Sequence, residues 1–586
     1  MQVRISRHWT LLAAVLFGLL LLIYSRSLWN DFVLWDDDYL IVHNPLIRSL
    51  SPHAIWTAFT SYDPELYIPL TFLSYQLNYL IGGLHPFIYH VTNLLLHGIN
   101  AMLISGIAYR LSNKNTWIAV AAGILFAVHP LHAEAVVWAS ARKDVLASTF
   151  FLTSLFLYLR YRESDQRSTC IWSIVTFLLA LLSKVSVITL PIILLLIDWR
   201  EGRRWDKQML MEKLPYALLS ILFGTVALFG KTQQIAHTTI RETVLLTMKS
   251  LAFTLEKLFV PLHLSPMYPF TGDITLSSSQ FFVPMILLLI LAATSIYSRR
   301  WTRELLFALL FFLFSIAPSM VNFRKGEEGD IYLASDRYAY IASFAAIFLV
   351  CMLLYRLGKK FSPLASNGIL AITVITLASL SFVQADIWHD SETLFTTVIA
   401  SYPQAQAAHH NLGVLYQKEG HMQQALDQYQ AALAIAPKAS TLSNIGDILR
   451  ENNQFPEAAE FYKQALAINP RSVDAMLGMG LLALQQSDVK TAIAAFQTAV
   501  EFAPGDSRTH LNLGAALLRA QRTDEAITEY KKAITFDPTN AAAFFNLAVA
   551  LERVGRITEA KESYARAVEL DSTFAAAAGT LQKQQP

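Results

Sequence analysis

Apolar and polar positions divide the 586-residue chain into two unlike halves. Up to about residue 385, long apolar runs alternate with short polar stretches. Beyond it, apolar residues recur singly and in pairs at the three- and four-residue spacing of amphipathic helices. The apolar runs cover Trp9 to Tyr24 and roughly residues 86 to 109, 117 to 130, 144 to 159, 168 to 183, 185 to 198, 214 to 230, 281 to 297, 304 to 320, 338 to 355 and 365 to 384. These predict about eleven membrane spans, several of them shorter than the roughly 20 residues that a bilayer asks for. The first run follows Arg4 and Arg7 and meets no small-residue cleavage motif, the pattern of a retained signal anchor. A further stretch, Thr243 to Pro261, is apolar but broken by Lys249, Glu256 and Lys257. It predicts an amphipathic or re-entrant helix at the membrane surface.

From about residue 386 the apolar pattern acquires a long period. Pro403, Pro437, Pro470, Pro504 and Pro538 recur every 33 or 34 residues, the length of a tetratricopeptide helix pair. Gly413, Gly446, Gly480, Gly514 and Ala548 keep the same register where two helices must approach closely, and Tyr429, Tyr462, Phe496, Tyr530 and Tyr564 hold an aromatic position. Residues 386–586 thus read as about five and a half repeats, an all-α superhelix whose usual work is to bind extended peptides. Asn411, Asn444, Asn512 and Asn546 recur near the start of the first helices. Their amides could clamp an acceptor backbone, and helix packing explains them as well.

Composition agrees with a membrane protein: 54% of residues are apolar and 15% charged. The net charge of +2, with no basic stripe interleaved with aromatics, argues against nucleic acid as a partner. Cys170 and Cys351 both lie in apolar runs and suggest no disulfide framework. Basic residues instead report orientation. With the N-terminus inside, the inner loops carry Arg110 and Lys114, Arg160 to Arg167, Arg200 to Lys207, Arg299 to Arg303 and Arg356 to Lys360. The outer loops then gather the unusual chemistry. Trp35-Asp36-Asp37-Asp38-Tyr39 follows the first span with three consecutive carboxylates, His129-Pro130-Leu131-His132-Ala133-Glu134 leads to Arg142-Lys143-Asp144, and Asp336-Arg337-Tyr338 opens another span. A carboxylate can serve as base or metal ligand. Arg142, Lys143, Arg324, Lys325 and Arg337 suit a phosphate. The His-x-x-His-x-Glu spacing matches no strong zinc pattern.

Residues Phe32 to Pro45, His129 to Asp144 and Asp336 to Tyr340, together with the trailing repeats, resemble the transmembrane and tetratricopeptide-repeat O-mannosyltransferase family and its bacterial relatives over nearly the whole chain. The resemblance implies the C-type glycosyltransferase fold over residues 1–385 and a repeat domain, residues 386–586, on the outer face. It also implies a polyprenyl-phosphate-linked sugar, mannose among the candidates, as donor and a Ser or Thr hydroxyl of exported proteins as acceptor. On this reading Asp36 or Asp37 takes the acceptor's proton. Arg142, Lys143 and Arg337 meet the donor phosphate, and His132, Glu134 and Asp144 orient the base or bind sugar hydroxyls. An auxiliary Mg or Mn ion on Asp36 or Asp37 with Glu134 stays open. A bacterial inner membrane with periplasmic repeats is the expected setting. Two other readings remain: the same fold acting on a lipid or glycan acceptor, and a membrane-anchored scaffold for an envelope complex.

Overall fold

A computed structural model describes residues 7–62, 66–230, 239–320, 323–325 and 330–577. The chain divides into two compact units, Met1–Ala405 and Gln406–Pro586. Both are helical, and among the described residues the strands are β1 (Arg324–Lys325) and β2 (Asp330–Ile331), an antiparallel pair. Arg324 and Lys325 are described by their backbone alone.

The first unit runs α1 (Arg7–Tyr24), α2 (Pro52–Thr60), α3 (Pro69–Gly82), α4 (Pro86–Leu111), α5 (Thr116–Ala127), α6 (Ala133–Val137), α7 (Arg142–Ser164), α8 (Arg167–Ser183), α9 (Leu190–Arg200), α10 (Lys207–Gly230), α11 (Ile240–Phe259), α12 (Ser279–Ser298), α13 (Glu304–Ile316), α14 (Ala339–Lys360), α15 (Pro363–Asp386) and α16 (Ser391–Ser401). Every expected apolar run holds a helix. Five of these helices (α4, α10, α12, the stretch Asp336–Lys360 and α15) are long and apolar enough to cross a membrane, or six if α5 and the bent segment after it form one span. Proline sits in the first turn of α2, α3, α4 and α15, where its missing N–H costs nothing. α5 stops at Ala127, short of the expected 130, because His129 precedes Pro130 and is held extended at φ −79°, ψ 126°. The chain bends there by 55°. α11 occupies the Thr243 to Pro261 region and is not among the helices apolar enough to cross. Thr239 and Glu242 close its first turn in a reciprocal capping box.

α4 is the central helix of this unit and packs against α1, α5 and α7. Its buried face carries His90, Asn93, His97 and Asn100, a polar row at helical spacing inside an apolar run. At the far ends of α7 and α9 a buried Asp198 accepts from Tyr158 (2.8 Å), Arg162 (3.1 Å) and Arg203 (3.2 Å), and pairs with Lys213 of α10. Charge is thereby matched on the side opposite the carboxylate loop.

The second unit is five helix pairs: α17 (Gln406–Lys418) with α18 (Met422–Ile435), α19 (Ala439–Glu451) with α20 (Phe455–Ile468), α21 (Val473–Gln485) with α22 (Val489–Phe502), α23 (Ser507–Arg519) with α24 (Thr523–Phe536), and α25 (Ala541–Arg553) with α26 (Ile557–Leu570). The register glycines face the aromatic rings: a Cβ on Gly413, Gly446, Gly480 or Gly514 would lie 2.6, 2.6, 2.4 or 2.7 Å from Tyr429, Tyr462, Phe496 or Tyr530. These contacts are too short for any real side chain. Gly480→Ala is expected to lower local stability by about 1–3 kcal/mol through overpacking. Faster hydrogen exchange in α21 and α22 of the full chain would register it, and unchanged protection would show that the ring has room to move.

Asn411, Asn444, Asn512 and Asn546 fall at one position of successive first helices and are half-buried. In the third repeat that position is Gly478, whose Cβ would meet the Tyr462 ring at 2.2 Å. Asn444 donates to the Tyr429 hydroxyl at 3.1 Å, so packing accounts for its amide.

Candidate active site

The carboxylate loop joins α1 to α2. Its backbone is tied to the segment after α15: the Asp31 N–H donates to the His389 carbonyl (2.9 Å), the Leu34 N–H to the Ser391 hydroxyl (2.7 Å), and the Asn30 amide to the Trp388 carbonyl (2.9 Å). Trp35 stacks on Trp138 at 4.9 Å, and Trp138 stacks on Trp388 at 5.1 Å. The loop is therefore held between the α6–α7 connection and the end of α15.

The three consecutive aspartates have three different fates. Asp37 is buried: Oδ2 accepts from the Val33 N–H (3.1 Å), and Oδ1 accepts from the N–H (2.8 Å) and hydroxyl of Ser140. With these donors attached it clamps the loop to the start of α7, which corrects the expectation that it shares the base role. Asp38 turns toward His43, 3.2 Å away. Asp36 combines partial exposure with a lysine partner. Its side chain is 18% exposed, Oδ1 accepts from the Tyr39 hydroxyl (2.7 Å), and Oδ2 pairs with Lys143 Nζ (2.8 Å).

Electrostatics separate the first two further. Burial pushes the Asp36 carboxyl up, but Lys143 and then Arg337 outweigh it and hold it at about 2, so it is ionised at neutral pH. Burial pushes the Asp37 carboxyl up to about 6 against the opposing bonds from Ser140 and Val33. An unfolded Asp titrates near 3.8, so between about 4 and 6 the folded chain holds a proton that the unfolded chain has released. The stability this group contributes is present below about 4 and lost as pH rises through about 6. Wild type should therefore lose thermal stability between those pH values relative to Asp37→Asn, whose side chain does not titrate. Parallel pH profiles for the two proteins would refute the assignment.

The other predicted side chains divide into two sets. Lys143, Glu134, Arg337 and Asp144 come together with Asp36. Glu134, buried, pairs through Oε1 with Arg337 Nη1 and through Oε2 with the Arg337 N–H (3.1 Å). Arg337 Nε lies 3.9 Å from Asp144 Oδ2, and Asp144 Oδ1 pairs with Lys184. The Arg337 guanidinium lies over the Trp138 ring, 4.9 Å from its centre. Carboxylates and cations thus alternate from Asp36 to Lys184.

Arg142 and His132 do not join this set. The Arg142 guanidinium is wholly buried and donates to Asn93 Oδ1, Ser74 Oγ (3.2 Å) and the Tyr89 carbonyl (2.8 Å), which corrects its placement as a phosphate ligand. Successive helix residues point about 100° apart, so with Lys143 facing Asp36 its neighbour faces α4. His132 is packed between Phe126 and Tyr340, with Nδ1 donating to the Phe126 carbonyl (2.7 Å) and Nε2 2.9 Å from Ser343 Oγ. It is wholly buried at the α5–α6 bend. The metal arrangement of Asp36 or Asp37 with Glu134 does not fit either: Asp37 and Glu134 have their oxygens committed to Ser140, Val33 and Arg337. Among the described residues no group of three His, Cys, Asp or Glu side chains is placed to hold a metal ion.

Tyr39, Asn93 and Lys184 are further residues at this site, bonded to Asp36, Arg142 and Asp144. The polar row of α4 carried a signal for Asn93, since His90, Asn93, His97 and Asn100 recur at three- and four-residue steps.

Family models described as tetratricopeptide repeat match residues 404–471, 444–507, 483–533 and 541–574, and one described as TPR repeat matches 519–555. The human protein named Protein O-mannosyl-transferase TMTC1 is 26% identical over 75% of this chain and 57% of its own length, and its mouse namesake is 25% identical over 75% and 60%. The human Protein O-mannosyl-transferase TMTC4 is 34% identical over 28% of this chain and 26% of its own length. The chain therefore spans less than two thirds of the length of these curated relatives. A solved structure titled "YrrB: a TPR protein with an unusual peptide-binding site" covers 32% of this chain and 97% of its own, with 23% identity and a TM-score of 0.25. In sequence the chain is similar to proteins named protein O-mannosyl-transferase, and it carries tetratricopeptide repeats together with five helices, or six, long and apolar enough to cross a membrane.

Proposed function

We propose that the chain is a glycosyltransferase that moves a sugar, mannose by analogy with its relatives' names, from a polyprenyl-phosphate carrier to a Ser or Thr hydroxyl of exported proteins. The observation that carries this reading is the ionised, partly open carboxylate of Asp36, paired with Lys143 and backed by Arg337. The acceptor oxygen attacks the anomeric carbon while the bond from that carbon to the phosphate oxygen breaks. The acceptor proton passes to Asp36, and the phosphate leaves as an anion that needs no proton. Charge developing on the phosphate is met by Arg337 and Lys143, and Glu134 positions Arg337. As a phosphate draws these cations toward itself, Asp36 loses part of their hold and becomes a stronger base. Transfer that EDTA abolishes would show that the reaction needs a Mg or Mn ion, and transfer that survives EDTA would show that it does not. The repeats present the acceptor, with the amides of Asn411, Asn512 and Asn546 turned to its backbone. The setting is a bacterial inner membrane with the repeats in the periplasm.

The test is transfer of labelled mannose from a polyprenyl-phosphate donor to a Ser/Thr peptide by purified full-length wild type and Asp36→Asn. Labelled peptide with wild type alone is the expected result. Label appearing only in a lipid or glycan acceptor would replace the protein acceptor, and equal label from both proteins would remove Asp36 from the chemistry.

A further inference from the structure

On the side opposite the carboxylate loop, the end of α9 meets the loop that joins α12 to α13. Trp199 is the junction. The guanidinium groups of Arg299 and Arg303 lie over its ring, 5.9 and 5.6 Å from the centre, and Arg303 donates to its carbonyl at 2.7 Å. Gly202 lies against the same arginine, since a Cβ there would be 3.3 Å from Arg303 Nη1.

The cations on this side fall into two groups. Arg162, Arg203 and Lys213 are matched by Asp198 and Glu212, and Arg200 is matched by Glu304. Arg204, Arg299 and Arg300 are exposed, and among the described residues none of them forms an ion pair. The carboxylates left in the same loops are Glu201 and Asp206, and Asp206 already accepts from the Met209 N–H at 2.7 Å. Positive charge is therefore in excess here. Basic loops in general set orientation through diffuse charge. These arginines are more narrowly placed, because Arg299 and Arg300 rest on the rings of Trp199 and Tyr297 with their N–H edges free.

The surroundings are those of a lipid. α12 starts beside Phe270, where its Phe281 makes an edge contact at 5.6 Å, and its 20 residues carry the chain about 30 Å to Arg299. Leu287, Leu289 and Ile290 on that helix are each more than half exposed, and so are Trp205, Tyr297 and Trp301 at its basic end. Such rings suit the boundary between acyl chains and headgroups. A soluble acidic partner would leave the α12 leucines uncovered. A phospholipid of negative charge covers them with its acyl chains and meets the arginines with its phosphate.

We propose that Arg204, Arg299 and Arg300 hold the headgroup of an anionic phospholipid in the leaflet opposite the carboxylate loop, with Trp205 and Trp301 at headgroup level and the acyl chains along α12.

Full-length protein in detergent is titrated with phosphatidylglycerol or phosphatidylcholine, and bound lipid is counted by native mass spectrometry. Neither sugar donor nor acceptor is present, so the outcome is independent of the proposed reaction. Wild type should retain phosphatidylglycerol in preference to phosphatidylcholine. Arg299→Gln with Arg300→Gln should weaken it about tenfold or more, and Arg204→Gln severalfold. Lys359→Gln with Lys360→Gln removes the same charge from the far end of α14 and should leave the affinity unchanged. Equal losses in the two double variants would overturn the site in favour of diffuse charge, as would affinity that none of the variants alters. Phosphatidylcholine held as tightly as phosphatidylglycerol overturns the anionic headgroup. Glycerol 3-phosphate bound as tightly overturns the acyl chains, and polyglutamate bound in place of the lipid would give the surface to an acidic protein.

Discussion

Asp36→Asn should lower the rate of sugar transfer by about two to four powers of ten, the range over which a positioned general base contributes. Asparagine keeps the shape of the side chain and an oxygen for the Tyr39 hydroxyl, which is 2.7 Å away in the wild type. It removes the negative charge and the ability to take a proton. It also leaves Lys143, whose side chain is 5% exposed, without its counter-charge, so part of any loss could come from a weakened fold. A second protein separates the two causes. In Asp36→Asn combined with Lys143→Met the uncompensated charge is gone and thermal stability should return toward wild type, while transfer should fall well below that of Lys143→Met alone, which measures the loss of the cation by itself. Recovery of transfer in that double variant would show that Asp36 serves the fold alone.

The largest effect on stability is expected at Arg337. Its partner Glu134 is 2% exposed, and Asp144 also depends on Arg337 for part of its counter-charge. Arg337→Met leaves a buried carboxylate with no cation, which costs about 3–5 kcal/mol. Adding Glu134→Gln removes that charge, and most of the loss should be regained. Thermal unfolding of the four proteins in one detergent gives the coupling directly. Additive losses would mean that the pair contributes little and that Arg337 is retained for the phosphate alone.

The repeats were legible because their signal is arithmetic: a proline every 33 or 34 residues and glycines in step with aromatics survive any uncertainty about where a helix begins. The membrane helices were legible as apolar runs, but their rotation was not. α7 is buried on several sides, so no polar face distinguishes the direction of Arg142 from that of Lys143, and the sequence left the two equivalent. Asp37 was indistinguishable from Asp36 for another reason. Its role depends on Ser140, 103 residues away, arriving beside it. Lys184 lies between two apolar runs, and its partner Asp144 is 40 residues away in the chain. The α4 row carried a helical spacing, yet inside an apolar run it read as part of a span.

The stacked indoles of Trp35, Trp138 and Trp388 give the carboxylate loop an optical signature. At centroid separations of 4.9 and 5.1 Å, their transition dipoles are close enough to couple, and the ring planes are tilted by 24° and 27°. Such coupling produces a circular dichroism couplet that depends on the relative orientation of the rings. Trp35 is bonded to Asp36 through the backbone, so displacement of the loop when a donor arrives would alter that couplet. Any displacement of the carboxylate loop can therefore be followed without a label, in the protein's own ultraviolet circular dichroism.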